Sequence, residues 1–145
     1  METKIILELC YNHNGDIELA KKMIREAAEL GVWAVKFQKW DIDSIPEERK
    51  KMKRDTETSF GKTYYEHRKN LELSIEQLLE LKEYAEKKSL VFMCSGKDYN
   101  SVVELYESGI TEIKLPSQLY LEHKIFKYLQ KKNCNVYVST GQHTQ

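Results

Sequence analysis

The sequence predicts an α/β domain in which parallel strands alternate with helices that cross from one strand to the next. First, the apolar residues switch repeatedly between the two-residue period of a strand and the longer period of a helix. Second, 145 residues with 41% apolar content are enough for one hydrophobic core. Third, the composition is uniform, without a linker or low-complexity stretch, so we expect residues 1–145 to form a single domain.

The first half of the pattern begins with a strand. Residues 5–10 form a short apolar run with β-branched side chains, which predicts the first strand. The next segment, 16–30, carries apolar residues at helical spacing, with Asp16 to cap its start and Gly31 to end it. A second strand is predicted over residues 33–38.

The second half continues the alternation and ends on a strand. A helix begins at Ser74, because Ser74 and Gln77 form a capping-box pattern. A further helix near residues 100–108 is closed by Gly109. The remaining elements are the third, fourth and fifth strands at 90–95, 111–115 and 135–140, and a helix at 121–132.

One connection, residues 39–73, is much longer than the others. It is charged and also holds Tyr64, Tyr65, His67 and Arg68. A connection of this length in a compact α/β domain is usually functional or mobile, and the alternative is a solvated insertion with no role in a site.

The charge balance excludes some classes of partner. Lysine and arginine total 23, and aspartate and glutamate also total 23, so the chain lacks the basic excess of a nucleic-acid binder. No apolar run approaches the ~20 residues that span a bilayer, so no membrane partner is expected. The three cysteines are widely spaced and match neither a zinc site nor a disulfide framework, which favours a reducing, cytoplasmic location.

Two lysines are predicted on the same face of alternate strands. In the second strand, Lys36 and Gln38 alternate with apolar residues that face the helices, and Lys114 does the same in the fourth strand. Each lysine also lies five positions after a helix-ending glycine, Gly31 or Gly109. The two glycine–strand segments therefore resemble a repeated unit, with a lysine at the same position in each strand.

Glu8 falls on the corresponding face of the first strand. In a closed barrel this polar face points inward near the carboxyl ends of the strands, where two lysines would suit a phosphate or a carboxylate. The alternative is structural: Glu8 and the lysines form internal salt bridges, or the lysines extend to water.

Hydroxyl groups gather at the other strand ends. Ser95, Ser117, Ser139 and Thr140 are each ordinary turn residues on their own, but with two lysines they resemble an anion cradle. His13 is expected to be a structural hydrogen-bonding residue. Cys10 and Cys94 are expected to line the core and not to act as nucleophiles.

Several segments resemble one known family in order and approximate spacing. The sequence from Glu8 to Asp16, Ala34–Gln38 and Ser139–Gly141 are similar to motifs of the sialic acid synthases, the N-acetylneuraminate synthase family. The match extends over nearly the whole chain through residues 19–22, 71–74, 92–95 and 113–117.

The resemblance implies a TIM-type parallel (β/α) barrel and a condensation reaction. Members of that family join phosphoenolpyruvate to an N-acylated amino sugar of the N-acetylmannosamine type. The reaction gives a nine-carbon 2-keto sugar acid, and cleavage of a C–O bond releases phosphate. By resemblance, Glu8 is catalytic and, with Gln38, faces the sugar and the reacting centre. The positions that match phosphoenolpyruvate-binding residues are Lys36, Ser95, Lys114, Ser117 and Ser139.

The chain also departs from the family pattern. An acidic residue is usual where this chain has Leu119, a proline where it has Gly96, and a methionine where it has Gln142. A TIM barrel typically needs ~250 residues and eight strands, whereas we count about five β units, so we expect an incomplete barrel without the C-terminal sugar-capping domain. The family uses a divalent metal, Mn or Mg, whose histidine ligands are expected outside this chain.

Two classes of function remain open. The first is a sialic acid synthase-like enzyme, with the isolated chain inactive until a C-terminal half or a further copy completes it. The second is a non-catalytic partial barrel that serves as a binding or assembly module. Another phosphoenolpyruvate-using aldol-type synthase on the same fold is a third possibility.

Overall fold

A computed structural model, which describes residues 3–54 and 56–141, confirms the α/β fold with one parallel sheet. The strands are hydrogen-bonded in chain order, as expected for the first part of a parallel barrel. They are β1 (Ile6–Glu8), β2 (Ala34–Lys39), β3 (Val91–Gly96), β4 (Glu112–Leu115) and β5 (Asn135–Val138).

Helices connect successive strands on one side of the sheet. They are α1 (Ile17–Glu29), α2 (Glu47–Lys50), α3 (Tyr64–Leu71), α4 (Ile75–Glu86), α5 (Tyr99–Glu107) and α6 (His123–Leu129). The predicted caps are confirmed: the Asp16 carboxylate accepts hydrogen bonds from two amides of α1, and Ser74 and Gln77 form a reciprocal capping box. Short 3₁₀ turns follow β2 at Ile42–Ser44 and β4 at Ser117–Leu119. None of the described helices has the length and apolar character needed to cross a membrane.

The hydrophobic core lies between the sheet and the helices. Val35 and Phe37 of β2 and Phe92 and Cys94 of β3 point toward α1 and α4, and the rings of Phe37 and Phe92 stack with centroids 5.3 Å apart. The helix-facing parity predicted for β2 is therefore correct, which leaves Lys36 and Gln38 on the opposite, inner face. Burial raises the pKa of the Cys94 thiol, in keeping with a structural cysteine.

The long connection is folded and fastened to the loop after β1. In that loop the Nδ1 atom of His13 accepts a hydrogen bond from the Gly15 amide, so His13 has the structural role predicted for it. Gly15 adopts a φ of +79°, and a Cβ atom at this position would lie 2.1 Å from the Asn70 carbonyl oxygen at the end of α3. Only glycine permits this approach of two backbones, which holds α3 over the carboxyl end of the sheet.

The sheet is open at both edges among the described residues. β1 pairs only with β2, and β5 pairs only with β4, so each leaves one side of its backbone unpaired. Val136 and Val138 of β5 are 36% and 41% exposed, and Ile6 of β1 is 38% exposed. These apolar side chains occupy positions that neighbouring strands and helices cover in a closed barrel.

Candidate active site

The inner face of the sheet carries the predicted polar residues in two adjacent rows. Glu8 is in register with Lys36 across β1 and β2. One step further along the strands, Gln38 is in register with Ser95 on β3, and Ser95 with Lys114 on β4. We call Lys36, Ser95, Lys114, Ser117 and Ser139 the lower cradle.

Lys36 is buried and contacts two partners. Its ammonium forms an ion pair with the Glu8 carboxylate, and Nζ donates to Ser95 Oγ at 3.4 Å. Burial and then the nearby ammonium groups of Lys114 and Lys97 lower the pKa of Lys36 to about 8, while its contact with Glu8 acts in the opposite direction. The internal salt bridge of the structural alternative is therefore present, together with a concentration of positive charge.

Lys114 lies near Lys36 on the inner face. Through Ser95, Lys114 on β4 is in register with Gln38, two residues beyond Lys36 on β2. This offset of two residues over two strands has the size expected in an eight-stranded barrel of shear 8, in which the register shifts by about one residue per strand. Burial lowers the pKa of Lys114. The neighbouring carboxylate, Glu112, instead accepts hydrogen bonds from Asn135 and from the Tyr137 hydroxyl at 2.6 and 2.8 Å.

The three serines stand at the carboxyl ends of neighbouring strands. Ser95 is buried on β3, Ser117 opens the 3₁₀ turn after β4, and Ser139 follows β5 directly, with its amide donating to the Leu115 carbonyl at 3.1 Å. The structure thus brings the predicted lysines and serines to the carboxyl-end half of the sheet. Thr140 is exposed beyond them.

In the side-chain amide of Gln38, the nitrogen donates a hydrogen bond, whereas the oxygen has no partner among the described residues. Its Nε2 atom donates to Cys10 Sγ at 2.7 Å, so Cys10 lies beside Gln38 and outside the helix-facing core in which Cys94 is buried. Its Oε1 atom is buried and accepts no hydrogen bond from the described residues. An unpaired buried amide oxygen is costly, which is typical of a site that a ligand fills.

A second group of side chains lies above the lower cradle, and the sequence patterns did not single it out. Arg68 of α3 and Lys97, just after β3, surround the rings of Tyr11 and Trp40, and we call these four residues the upper cluster. Glu72 holds the Trp40 backbone in place beside this cluster, because its carboxylate accepts a hydrogen bond from the Trp40 amide at 2.8 Å.

Burial shapes the charges of the upper cluster. Desolvation lowers the pKa of Lys97, with Arg68 and Lys114 adding to the effect, and desolvation raises the pKa of Glu72. Desolvation, and next the facing Glu72 carboxylate, raise the pKa of the Tyr11 hydroxyl. Strand parity could have found Lys97 and Trp40, because they lie two positions beyond Ser95 and Gln38 on the same strands.

Comparison with known proteins identifies the family. Residues 23–145 match the NeuB family model. The chain belongs to the NeuB family. The predicted resemblance to the sialic acid synthases is confirmed.

Two curated NeuB relatives differ in the names of their products. N-acetylneuraminate-9-phosphate synthase of Homo sapiens is 40% identical over 129 residues, which cover 88% of this chain and 35% of the relative. N,N'-diacetyllegionaminic acid synthase of Legionella pneumophila is 35% identical over 139 residues, covering 94% of this chain and 39% of the relative. The chain therefore spans less than half the length of these two relatives.

A solved structure supports the same assignment. The N-acetylneuraminic acid (sialic acid) synthetase of Leptospira borgpetersenii, crystallised with citrate, superposes with a TM-score of 0.78 at 28% identity. The alignment covers 99% of this chain and 46% of that chain. The predicted partial barrel is in keeping with this likeness.

Two of the three positions predicted to depart from the family pattern have a local structural setting that suits the residue present. Leu119 packs with the apolar residues around α5 and α6, so its side chain contributes to the hydrophobic core. Gly96 has no room for a side chain, because a Cβ atom there would lie 2.5 Å from a methyl carbon of Val102. Gln142 lies outside the described residues.

The described residues do not fit the divalent metal that the family implies. Within residues 3–54 and 56–141, no group of three or more histidine, cysteine, aspartate or glutamate side chains could hold a metal ion. The described histidines also lie apart: His13 and His67 are buried, and His123 begins α6.

Proposed function

We propose that this chain supplies the phosphoenolpyruvate-binding part of a sialic acid synthase-like enzyme. The enzyme condenses phosphoenolpyruvate with an N-acylated amino sugar of the N-acetylmannosamine type and releases phosphate. The observation that supports this most is the convergence of Lys36 and Lys114 on the inner face, at the carboxyl end of the sheet. Membership of the NeuB family points to the same reaction.

The lower cradle matches the charge of phosphoenolpyruvate, which carries a phosphate and a carboxylate. Two ammonium groups and serine hydroxyls donate hydrogen bonds to such oxygens, and charge-assisted bonds of this kind are the strong ones. Burial of Lys36 strengthens its attraction to an anion, because the surroundings screen the charge less than water does. On binding, the phosphate or carboxylate joins Glu8 as a counter-charge to this lysine.

We propose catalytic and sugar-facing roles for Glu8 and Gln38. The Glu8 carboxylate is partly exposed and holds Lys36 in place, so it can exchange a proton or a hydrogen bond at the reacting centre. The free Gln38 oxygen is available to a sugar hydroxyl or amide. We place the ligands of the family's divalent metal outside the described residues, and no step here is routed through it.

We further propose that a partner covers the open edges, either a C-terminal half or a second copy. The unpaired sides of β1 and β5 and the exposed valines of β5 favour such a partner. Light scattering on the purified chain is expected to show association, and a stable monomer over a wide concentration range contradicts it.

The decisive experiment measures phosphate release from phosphoenolpyruvate. The full chain is assayed with an N-acylated mannosamine and manganese, in the presence of a C-terminal half taken from a NeuB relative. Lys36→Met and Lys114→Met are each expected to reduce the rate at least about tenfold, because each loses a charge-assisted bond. Lys22→Met, on the exposed face of α1, is the control and should leave the rate unchanged.

The same samples test the binding step directly. Calorimetry is expected to detect phosphoenolpyruvate binding that depends on Lys36 and Lys114. If binding occurs without any turnover, the non-catalytic binding module is favoured. If folded protein shows neither, the proposed function is wrong.

A further inference from the structure

Side chains continue the hydrogen bonding of β2 where its pairing with β3 ends. The last backbone contact joins the Lys97 amide to the Lys39 carbonyl at 3.0 Å. Two residues further on, the Asp41 amide donates to Asp98 Oδ2 at 2.9 Å and to Ser101 Oγ at 2.8 Å. The segment that leaves β2 is therefore fastened to the start of α5, and a backbone donor that the sheet no longer pairs is satisfied.

The two acceptors form one unit at the start of α5. Ser101 is 1% exposed, and its hydroxyl donates to Asp98 Oδ2 at 2.7 Å. The Oδ1 atom of Asp98 accepts a hydrogen bond from the Ser101 amide at 2.9 Å, which caps the helix. Capping requires only this local bond, whereas the bonds to Asp41 join segments 57 and 60 residues apart. The second oxygen of Asp98 therefore has a role that capping does not explain.

Trp40 is held by hydrogen bonds at two successive backbone amides. Its own amide donates to the Glu72 carboxylate at 2.8 Å, and the amide of the next residue is the one that Asp98 and Ser101 bind. Trp40 follows Gln38 by two positions, so its indole stands over the inner face. Because both amides are fixed, the direction in which the indole leaves the backbone is fixed as well.

An open cleft lies on the other side of this indole. Its volume is about 500 Å³, and its lining includes Trp40 together with Lys39, Asn100 and Glu104. Lys39 has the opposite strand parity to Gln38, so the cleft belongs to the helix side of the sheet. The indole therefore has space to turn away from the inner face unless its backbone is held.

We propose that Asp98 and Ser101 are positioning residues that act through Trp40. They keep its indole over the inner face, above Gln38, and out of the cleft. This inference rests on the proposed function, in which Gln38 faces the amino sugar. A side chain that is already held in its binding orientation loses less conformational entropy when a ligand arrives. Release of Trp40 should therefore weaken the use of the sugar and spare phosphoenolpyruvate, whose proposed lysine ligands lie within paired strands.

A purely structural interpretation makes a different prediction. If Asp98 and Ser101 only stabilise α5, their substitution lowers the free energy of unfolding but leaves Trp40 unchanged in the folded protein. The distinguishing variants therefore keep the cap. Asp98→Asn retains one oxygen for capping, and asparagine caps about as well as aspartate, but an NH₂ group replaces the acceptor that faces Asp41. Ser101→Ala removes the other acceptor, so only the double variant leaves the Asp41 amide with neither.

The test measures the environment of Trp40 directly. The chain has two tryptophans, so Trp33→Phe, a substitution just before β2, leaves Trp40 as the only fluorescent indole. In this background the acrylamide quenching constant of Trp40 is measured on the full chain. It is expected to rise less than about 1.3-fold in Asp98→Asn or Ser101→Ala and at least about twofold in the double variant, because the last acceptor is lost only there.

Asn100→Ala is the matched control on the same turn of α5. Asn100 is exposed, and its side-chain nitrogen donates to the Asp41 carboxylate at 2.7 Å. Water replaces an exposed bond of this kind, so the quenching constant of Trp40 should not change. A control variant that matches the double variant overturns the inference.

Hydrogen exchange gives a second measurement that needs no variant. In the unsubstituted chain, the Asp41 amide is expected to be protected from exchange at least about tenfold more than the Asp43 amide, whose acceptor is an exposed carboxylate oxygen. Equal protection of the two amides overturns the inference.

Kinetics with a supplied C-terminal half test the consequence for function. The double variant should raise the KM for N-acetylmannosamine at least about fivefold while changing the KM for phosphoenolpyruvate less than about twofold. Unchanged quenching in the folded double variant overturns the inference, and so does an equal change in the two KM values. If the unsubstituted protein releases no phosphate, the proposed function fails, and quenching and exchange alone decide whether Asp98 and Ser101 hold Trp40.

Discussion

The lower cradle and the upper cluster are built in different ways, although they share one end of the sheet. The lysines of the lower cradle sit within strands, and strand pairing fixes their height and direction. Arg68 of the upper cluster comes from a helix in the long connection and depends on the contact between Gly15 and Asn70. The lower cradle therefore depends on local strand geometry, whereas the upper cluster depends on contacts between segments that are distant in the sequence.

The largest expected effect concerns completeness of the barrel. The chain alone is predicted to give no condensation, since the described residues provide no metal-binding group and β1 and β5 are open. Adding a C-terminal half should restore phosphate release, and Lys36→Met should reduce the restored rate at least about tenfold. Robust turnover by the chain alone contradicts the prediction.

Gly15→Ala is expected to disturb the upper cluster more than the lower cradle. The backbone of the new alanine must keep a left-handed conformation, and its methyl group also meets the Asn70 carbonyl. We therefore expect a loss of about 2–4 kcal/mol in unfolding free energy. Urea denaturation measures it. Gly31→Ala is the matched control, because Gly31 has a φ of +66° with no atom within 4 Å of the added carbon, and its cost should be about 1 kcal/mol.

Both alanine variants lose unfolding free energy because of the left-handed backbone conformation. The additional loss in Gly15→Ala measures the effect of the close approach to the Asn70 carbonyl. Equal losses in the two would show that α3 is not fastened at this point. A further readout is phosphoenolpyruvate affinity, which should change little in Gly15→Ala because Lys36 and Lys114 lie within paired strands.

The smallest expected effect is a difference in pH dependence between the two regions. Lys36, with a pKa of about 8, is charged below that pH and neutral above it, so phosphoenolpyruvate affinity should fall about tenfold between pH 7 and pH 9. Anion binding that does not depend on Lys36 should lack this fall. Titration calorimetry at several pH values measures both. If the phosphoenolpyruvate affinity of the unmodified protein does not change between pH 7 and pH 9, Lys36 is not an anion ligand.

Most of the fold could be predicted from the sequence because local patterns determine it. The period-two alternation around Lys36 and Lys114 gave the correct inner face, and the caps at Asp16 and Ser74 gave the correct helix starts. The helix predicted over 121–132 is shorter in the structure, where it spans His123–Leu129, because a turn at residues 120–121 precedes it. Helix ends without a strong cap are the least determined part of such patterns.

The upper cluster could be predicted only in part. Lys97 and Trp40 continue the strand parity past the last strand residues, so their direction follows from local sequence. Arg68 was visible only as one polar residue in a connection of undecided role, since its position depends on contacts between distant segments. The pairing of Arg68 with the Tyr11 ring therefore required the three-dimensional structure.

The placement of Lys97 and Trp40 immediately after their strands has a consequence for how specificity can evolve. Substitutions at these two positions, or at Arg68, change what lies at the rim without altering any residue of β2 or β3. Such substitutions could thus alter which molecules reach the inner face while the pairing of the strands stayed unchanged. For a protein engineer, these three positions form a small combinatorial library that spares the rest of the scaffold.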